Sequence, residues 1–140
     1  LILISIQANG INIMNCARAQ IGKPYYPGTS GPNSFDGAGL VKYCYQKEGI
    51  SVPSRASDQC KMGTVVSTPQ SGDYVCICGS TSGQCTQNHN AINDAAIYTE
   101  NQKMVGAAIR YRRYDDPVTE ELISNAAKHG TNVVNFRRIQ

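Results

Sequence analysis

Apolar positions recur at helical spacing early in the chain and gather into short continuous runs later. Met14, Ala17 and Ile21 fall at i, i+3 and i+7, which predicts a first helix with Asn9 or Asn12 as its cap and Gly22 and Pro24 as its stop. Residues 23–36, rich in Gly, Pro, Ser and Tyr, read as a loop. A second helix is expected from Ala38 to Glu48. Leu40, Val41, Cys44 and Tyr45 form its apolar stripe, Lys42 and Gln46 its wet face, and Gly49 its end. Ser54 offers a cap for a short third helix through Cys60. The period then changes. Tyr74–Cys78 is apolar throughout, as in a strand buried on both faces. Ala95–Thr99 and Met104–Ile109 predict a hairpin turning at Glu100-Asn101-Gln102. Asp116-Pro117 has the form of an N-cap and first helical residue, predicting a helix to Lys128, stopped by His129-Gly130. Val133–Phe136 closes the chain as a strand before Arg137-Arg138. Helices first and an antiparallel sheet second define an α+β domain.

At 140 residues the chain holds one domain. Residues 10–140 read as that domain and residues 1–9 as an ordered N-terminal arm. The other reading of Leu1–Ala8 is the tail of a signal peptide, which places the protein outside the cell; without it the arm belongs to an intracellular assembly. No run reaches the roughly 18 apolar residues of a membrane span. A net charge of +3 argues weakly for nucleic acid. The strongest basic cluster, Arg110-Tyr111-Arg112-Arg113-Tyr114, reads as an edge strand with solvated arginines. The six cysteines are as consistent with a partly reduced set as with a disulfide framework, Cys44 and Cys76 lying within apolar patterns. Residues 79–93 form a long polar loop, of the kind that is functional or flexible.

The segments Ile21-Gly22-Lys23-Pro24-Tyr25-Tyr26-Pro27-Gly28 and Phe35-Asp36-Gly37-Ala38-Gly39-Leu40-Val41 resemble the signature of the NlpC/P60 family of papain-like cysteine peptidases, G-x-P-Y-x-x-G and F-D-C-S-G-L-V. Five weaker likenesses follow in order. Gly49–Arg55 is similar to a G-I-x-L-P-R turn, Ser71–Val75 to P-G-D-L-V, Asp94–Tyr98 to H-V-G-I-Y, Val105-Gly106-Ala107 to I-H-A, and Phe136-Arg137-Arg138-Ile139 to a terminal A-R-R-V strand. The resemblance covers nearly the whole chain and implies a papain-like fold with N-terminal helices packed on an antiparallel sheet. In the family a cysteine at a helix N-terminus is activated by a histidine on a facing strand, which a third polar residue orients. Those positions fall here on Gly37, Asp94 and Gly106, none of which can do that work. The resemblance therefore implies a pseudoenzyme kept for protein interaction or as a structural subunit. The alternative is an active peptidase or amidase cleaving peptidoglycan stem peptides. Cleft-lining positions carried over are Tyr25, Asp36 and Arg55. Asp36 either holds a peptide's free amine or simply caps a helix.

Other chemistries are weaker. His89 aligns with the family histidine only if the register slips by five residues, which breaks the Ile97-Tyr98 strand. Cys44, two helical turns beyond Gly37, faces the core rather than the cleft. His129 complements a helix dipole. Cys76, Cys78, Cys85 and His89 have the chemistry of zinc ligands, but Cys76 and Cys78 lie roughly 6.5–7 Å apart on one strand face, too far for one tetrahedral ion. No metal or cofactor is expected, and a Cys78–Cys85 disulfide is an alternative. The expected partners are other protein chains, reached through residues 1–9 and 79–93, and a peptide in the residual cleft.

Overall fold

The structure is a computed structural model, and it describes residues 2–79, 92–107 and 116–140. It is an α+β domain in which helices pack on one antiparallel sheet. The helices are α1 (Ile2–Ala19), α2 (Gly37–Lys47) and α3 (Ala56–Gln59); the strands are β1 (Thr64–Val66), β2 (Tyr74–Cys78), β3 (Asp94–Tyr98), β4 (Lys103–Ala107), β5 (Val118–Leu122) and β6 (Asn132–Arg138). The sheet order is β1-β6-β2-β3-β4-β5. Every pairing is antiparallel, with Tyr74 opposite Ile97 and Ile97 opposite Val105 in the central strands.

β2 and β3 are buried along their whole length, as their continuous apolar runs require. Alternation divides the core in two. Tyr74, Cys76, Ala95, Ile97, Val105 and Ala107 face the helices and meet Ile13, Ala17, Leu40, Val41, Cys44 and Tyr45. Val75, Ile77, Ala96 and Met104 pack on the opposite face with Ala126, Ile123, Val133 and Phe136. The β3–β4 connection turns at Asn101 and Gln102, both with positive φ (53° and 61°), and Lys103 N donates to Glu100 O at 3.1 Å. That is the turn geometry whose twist matches a tight hairpin.

Several sequence expectations need correction. The first helix begins at Ile2, not at Asn9 or Asn12, so the segment read as an arm is the start of α1. Ser54 does not cap α3: Arg55 takes that position with no side-chain hydrogen bond, and Ser54 Oγ accepts from Lys42 Nζ at 3.0 Å. The helix expected over Asp116–Lys128 is absent. Residues 118–122 form β5, followed by two single-turn 3-10 helices, Ile123–Asn125 and Ala127–His129. β-Branched Val118 and Thr119 pair with Ala107 and Gly106. Val118 also exchanges backbone hydrogen bonds with the early loop: its N–H donates to Lys23 O at 2.8 Å, and its carbonyl accepts from Gly22 N at 2.9 Å. Sheet pairing thus outweighs the helical signature of Asp116-Pro117, and His129 ends a single 3-10 turn rather than the long helix expected.

The cysteines depart furthest from expectation. Cys16 is bonded to Cys44 and Cys60 to Cys76, so Cys44 and Cys76 are buried as disulfides rather than as thiols. Cys78 is also disulfide-bonded, and Cys85, the alternative partner raised by the sequence, lies outside the described residues. No cysteine among the described residues is free. The Cys16–Cys44 bond ties α1 to α2, and Cys60–Cys76 ties the end of α3 to the middle of β2. No helix among the described residues is long and apolar enough to cross a membrane.

Candidate functional site

Asp36 shapes the site. It is the N-cap of α2, in extended conformation, and its Oδ1 accepts from Gly39 N at 2.7 Å. Its Oδ2 accepts from Gly28 N at 2.8 Å. One carboxylate therefore both starts the helix and pins the preceding loop against it. The loop is held again where Asp36 N donates to Thr29 O, Tyr26 N to Phe35 O and Phe35 N to Pro24 O, each at 3.0–3.1 Å. This fold-back fixes the backbone on both sides of Tyr25 and packs its ring on the core.

A cleft of about 400 Å³ opens at the N-terminus of α2. Of the residues singled out in the sequence, Tyr25, Asp36, Gly37, Arg55 and Asp94 line it together. Gly106 does not: it sits opposite Thr119 in the β4–β5 ladder, and β4 contributes Ala107 to the cleft instead. Ser54, Ser57, Ile92 and Asn93 also line it and were not anticipated. Strand alternation was the available signal for Ala107, since Val105 and Ala107 share the face turned to the helices. His89, the cluster Arg110–Tyr114 and Cys85 lie outside the described residues. Arg137 and Arg138 are committed within the domain. Arg137 Nε donates to Met62 O at 2.7 Å, and Arg138 forms a two-bond fork on Asp73 at 2.9–3.0 Å.

Gly37 and Asp94 are in direct apposition. Gly37 is buried, and a β-carbon there would run into Asp94 Oδ1, with Asp94 Cγ at 3.1 Å and the Ala95 carbonyl oxygen at 2.8 Å. Asp94 is itself only 8% exposed, and its Oδ1 accepts from Ala95 N at 2.8 Å. Its negative charge reaches the Tyr74 phenol behind the cleft. Burial is the larger cause, and together they hold that hydroxyl protonated far above its ordinary range. The Tyr74 hydroxyl donates to Ala56 O at 3.2 Å. Gln59, fully buried, donates to Ala38 O and Pro53 O at 3.1 and 2.7 Å and so joins α3 to the first turn of α2. No group of three or more His, Cys, Asp or Glu among the described residues could hold a metal ion, and Cys76 is excluded as a ligand by its bond to Cys60.

The chain thus presents the frame of a papain-like site, with a capped helix pointing its N-terminus at the first residue of a facing strand. Residues 22–130 match the model of the NlpC/P60 family, and the chain belongs to that family. It is 37% identical over 101 residues to the probable endopeptidase Cgl2188 of Corynebacterium glutamicum, a match covering 66% of this chain and 48% of that one. The chain spans about half the length of the curated relatives it first matches. Among solved structures, NlpC1 from Trichomonas vaginalis superposes with a TM-score of 0.75 at 21% identity, over 93% of this chain and 44% of that one. RipD from Mycobacterium tuberculosis, described as a non-catalytic NlpC/p60 domain protein adapted to peptidoglycan binding, superposes with a TM-score of 0.69 at 19% identity, over 94% and 98%. These two likenesses establish the fold.

Proposed function

We propose that this is a non-catalytic NlpC/P60 domain, kept for protein interaction or as a structural subunit of a larger assembly and not for hydrolysis. One observation carries the reading. The N-terminus of α2, where the family resemblance puts a nucleophile, bears Gly37 with the Asp94 carboxylate directly against it. A thiolate there needs a cation or a histidine beside it; a carboxylate opposes it. The rival reading, a peptidase with a relocated thiol, is weakened because every described cysteine is in a disulfide. The precedent of RipD supports the view that such a domain can bind without cleaving. The cleft keeps groups suited to a peptide: the Tyr25 ring, the Ser54 and Ser57 hydroxyls and the exposed Arg55 guanidinium. Disulfides joining three helices and the sheet support an oxidising compartment.

The test is incubation of the protein with a muropeptide carrying a free stem-peptide amine, followed by mass spectrometry. Product release at the level of a protein-free blank is expected, and turnover overturns the reading. Titration of the same peptide by calorimetry then reports whether the cleft is a binding site. An Arg55→Ala variant with unchanged affinity would move the binding role from the cleft to another surface.

A further inference from the structure

The apposition of Gly37 and Asp94 is tighter than two elements need merely to pack. The N-terminus of α2 and the start of β3 meet with only the Asp94 side chain at the contact, and the space a residue-37 side chain requires is taken by one oxygen of that carboxylate. That carboxylate is nearly buried and is held in place by the Ala95 N–H. It also stands at the positive end of an eleven-residue helix, where an anion is favoured. It puts a negative charge beside the helix terminus at which the family resemblance implies a thiolate.

We infer that Asp94 is an internal plug of the cleft: its carboxylate occupies the volume beside the N-terminus of α2, and residues 37 and 94 form a coupled pair in which glycine at one position and aspartate at the other require each other. This rests on the reading of the domain as non-catalytic and says what keeps its centre closed. Two consequences follow. Any side chain at residue 37 displaces the carboxylate, so restoring the family's cysteine alone gives no usable nucleophile. A thiol at residue 37 also meets a like charge, which holds it in the unreactive protonated form. Relief at position 94 is partial, because the Ala95 carbonyl lies 2.8 Å from the same β-carbon.

A double-mutant cycle tests the coupling. Wild type, Gly37→Ala, Asp94→Ala and the double variant are melted side by side. Gly37→Ala is expected to lower Tm at least twice as much with Asp94 in place as it does in a chain already carrying Asp94→Ala. Equal losses overturn the inference. Failure of Gly37→Ala to fold while the double variant folds supports it. Failure of both, with Asp94→Ala itself folded, overturns it by making the Ala95 carbonyl the obstacle. The second readout is alkylation by iodoacetamide near neutral pH of Gly37→Cys and of Gly37→Cys/Asp94→Ala, with wild type as the blank. The double variant is expected to react about tenfold faster, one pKa unit of thiolate. Equal rates count against the plug. Muropeptide cleavage by the wild type would sink the non-catalytic reading; an absence of coupling sinks only the plug.

Discussion

Replacing Asp36 by alanine separates the two roles the sequence left open for that residue. In the structure both carboxylate oxygens are spent on backbone, one on Gly39 N and one on Gly28 N. Loss of an N-cap costs about 1 kcal/mol. A hydrogen bond to a charged group contributes about 1.5–3 kcal/mol when buried, but Gly28 is exposed and its N–H can turn to water, so about 1 kcal/mol is the fitting figure. Asp36→Ala should therefore destabilise by about 2 kcal/mol. An unfolding entropy of about 2.1 cal/mol/K per residue over this chain gives about 0.3 kcal/mol/K, which puts the loss in Tm at about 7 °C. Asp36→Asn keeps an acceptor for Gly39 N, and asparagine caps as well as aspartate. It should lose only the Gly28 bond, about 3 °C. Calorimetric melts of the three proteins, with the muropeptide absent, decide the matter. A Tm for Asp36→Ala within 2 °C of wild type would refute the reasoning. It would mean that the carboxylate contributes nothing to the fold and is kept for a ligand.

The disulfide between Cys16 and Cys44 closes a separation of 28 residues. By loop-closure entropy it contributes about 3.5 kcal/mol, so Cys16→Ala/Cys44→Ala should melt about 12 °C lower under non-reducing conditions. A loss under 4 °C would show that packing alone fixes α1 on α2. Glu120 gives a pH signature. Burial by itself raises its pKa, but the Thr99 hydroxyl at 2.6 Å and the Arg18 guanidinium at 2.9 Å more than offset that, leaving it below the ordinary value of 4.5. A depressed carboxylate contributes stability above its unfolded pKa and loses it as pH falls. Wild type should exceed Glu120→Gln by a constant margin above about pH 5.5, and the margin should shrink as pH is lowered toward 3. A margin that is flat from pH 7 to pH 3 in urea titrations would show that Glu120 is not held as an ionised acceptor.

Some elements were legible because independent signals coincided. α2 has a capping aspartate, a stripe of Leu40, Val41, Cys44 and Tyr45, and Gly49, with φ of +75°, just past its end. β2 has five apolar residues in a row. The hairpin was legible because apolar runs flank a short polar turn. Others were hidden because local and tertiary preferences disagree. Asp116-Pro117 and the glutamates after it look helical, yet pairing with β4 and the loop at Gly22–Lys23 takes the segment as a strand. Residues 2–8 lie upstream of Asn9 and Asn12, the capping residues the sequence offered, so nothing there announced the start of α1. Disulfide pairing was out of reach, since six cysteines allow 15 connectivities and the partners come from separate elements. The cleft shows the same division. Motif order placed Tyr25, Asp36, Gly37, Arg55 and Asp94, whereas Ser54, Ser57, Ile92, Asn93 and Ala107 needed the chain to be folded. That Asp94 stands where a residue-37 side chain would go is a contact between residues far apart in sequence, and no local pattern encodes it.

The way the domain is braced explains how it tolerates such a site. The Tyr45 hydroxyl, fully buried on α2, donates to Gly72 O at 2.6 Å. Asp73 next to it takes the Arg138 fork, whose hydrogen bonds hold that guanidinium's pKa above its ordinary value, and Tyr98 N donates to Asp73 O at 2.8 Å. These contacts gather at the far end of β3, the end marked by Tyr98. The strand begins at Asp94 beside the cleft, about 13 Å away at 3.3 Å per residue. Cys16–Cys44 and Cys60–Cys76 likewise join elements without involving Gly37 or Asp94. The cleft and these bracing contacts are therefore largely apart, and Asp36, which both lines the cleft and holds the loop on α2, is where they overlap. On the proposed non-catalytic reading, the positions that the family resemblance assigns to a nucleophile and its histidine, 37 and 94, lie away from the Tyr45, Asp73 and Arg138 contacts and the two disulfides. A glycine at 37 does more than remove a side chain: it lets a carboxylate settle on the helix terminus, where the backbone N–H groups favour negative charge.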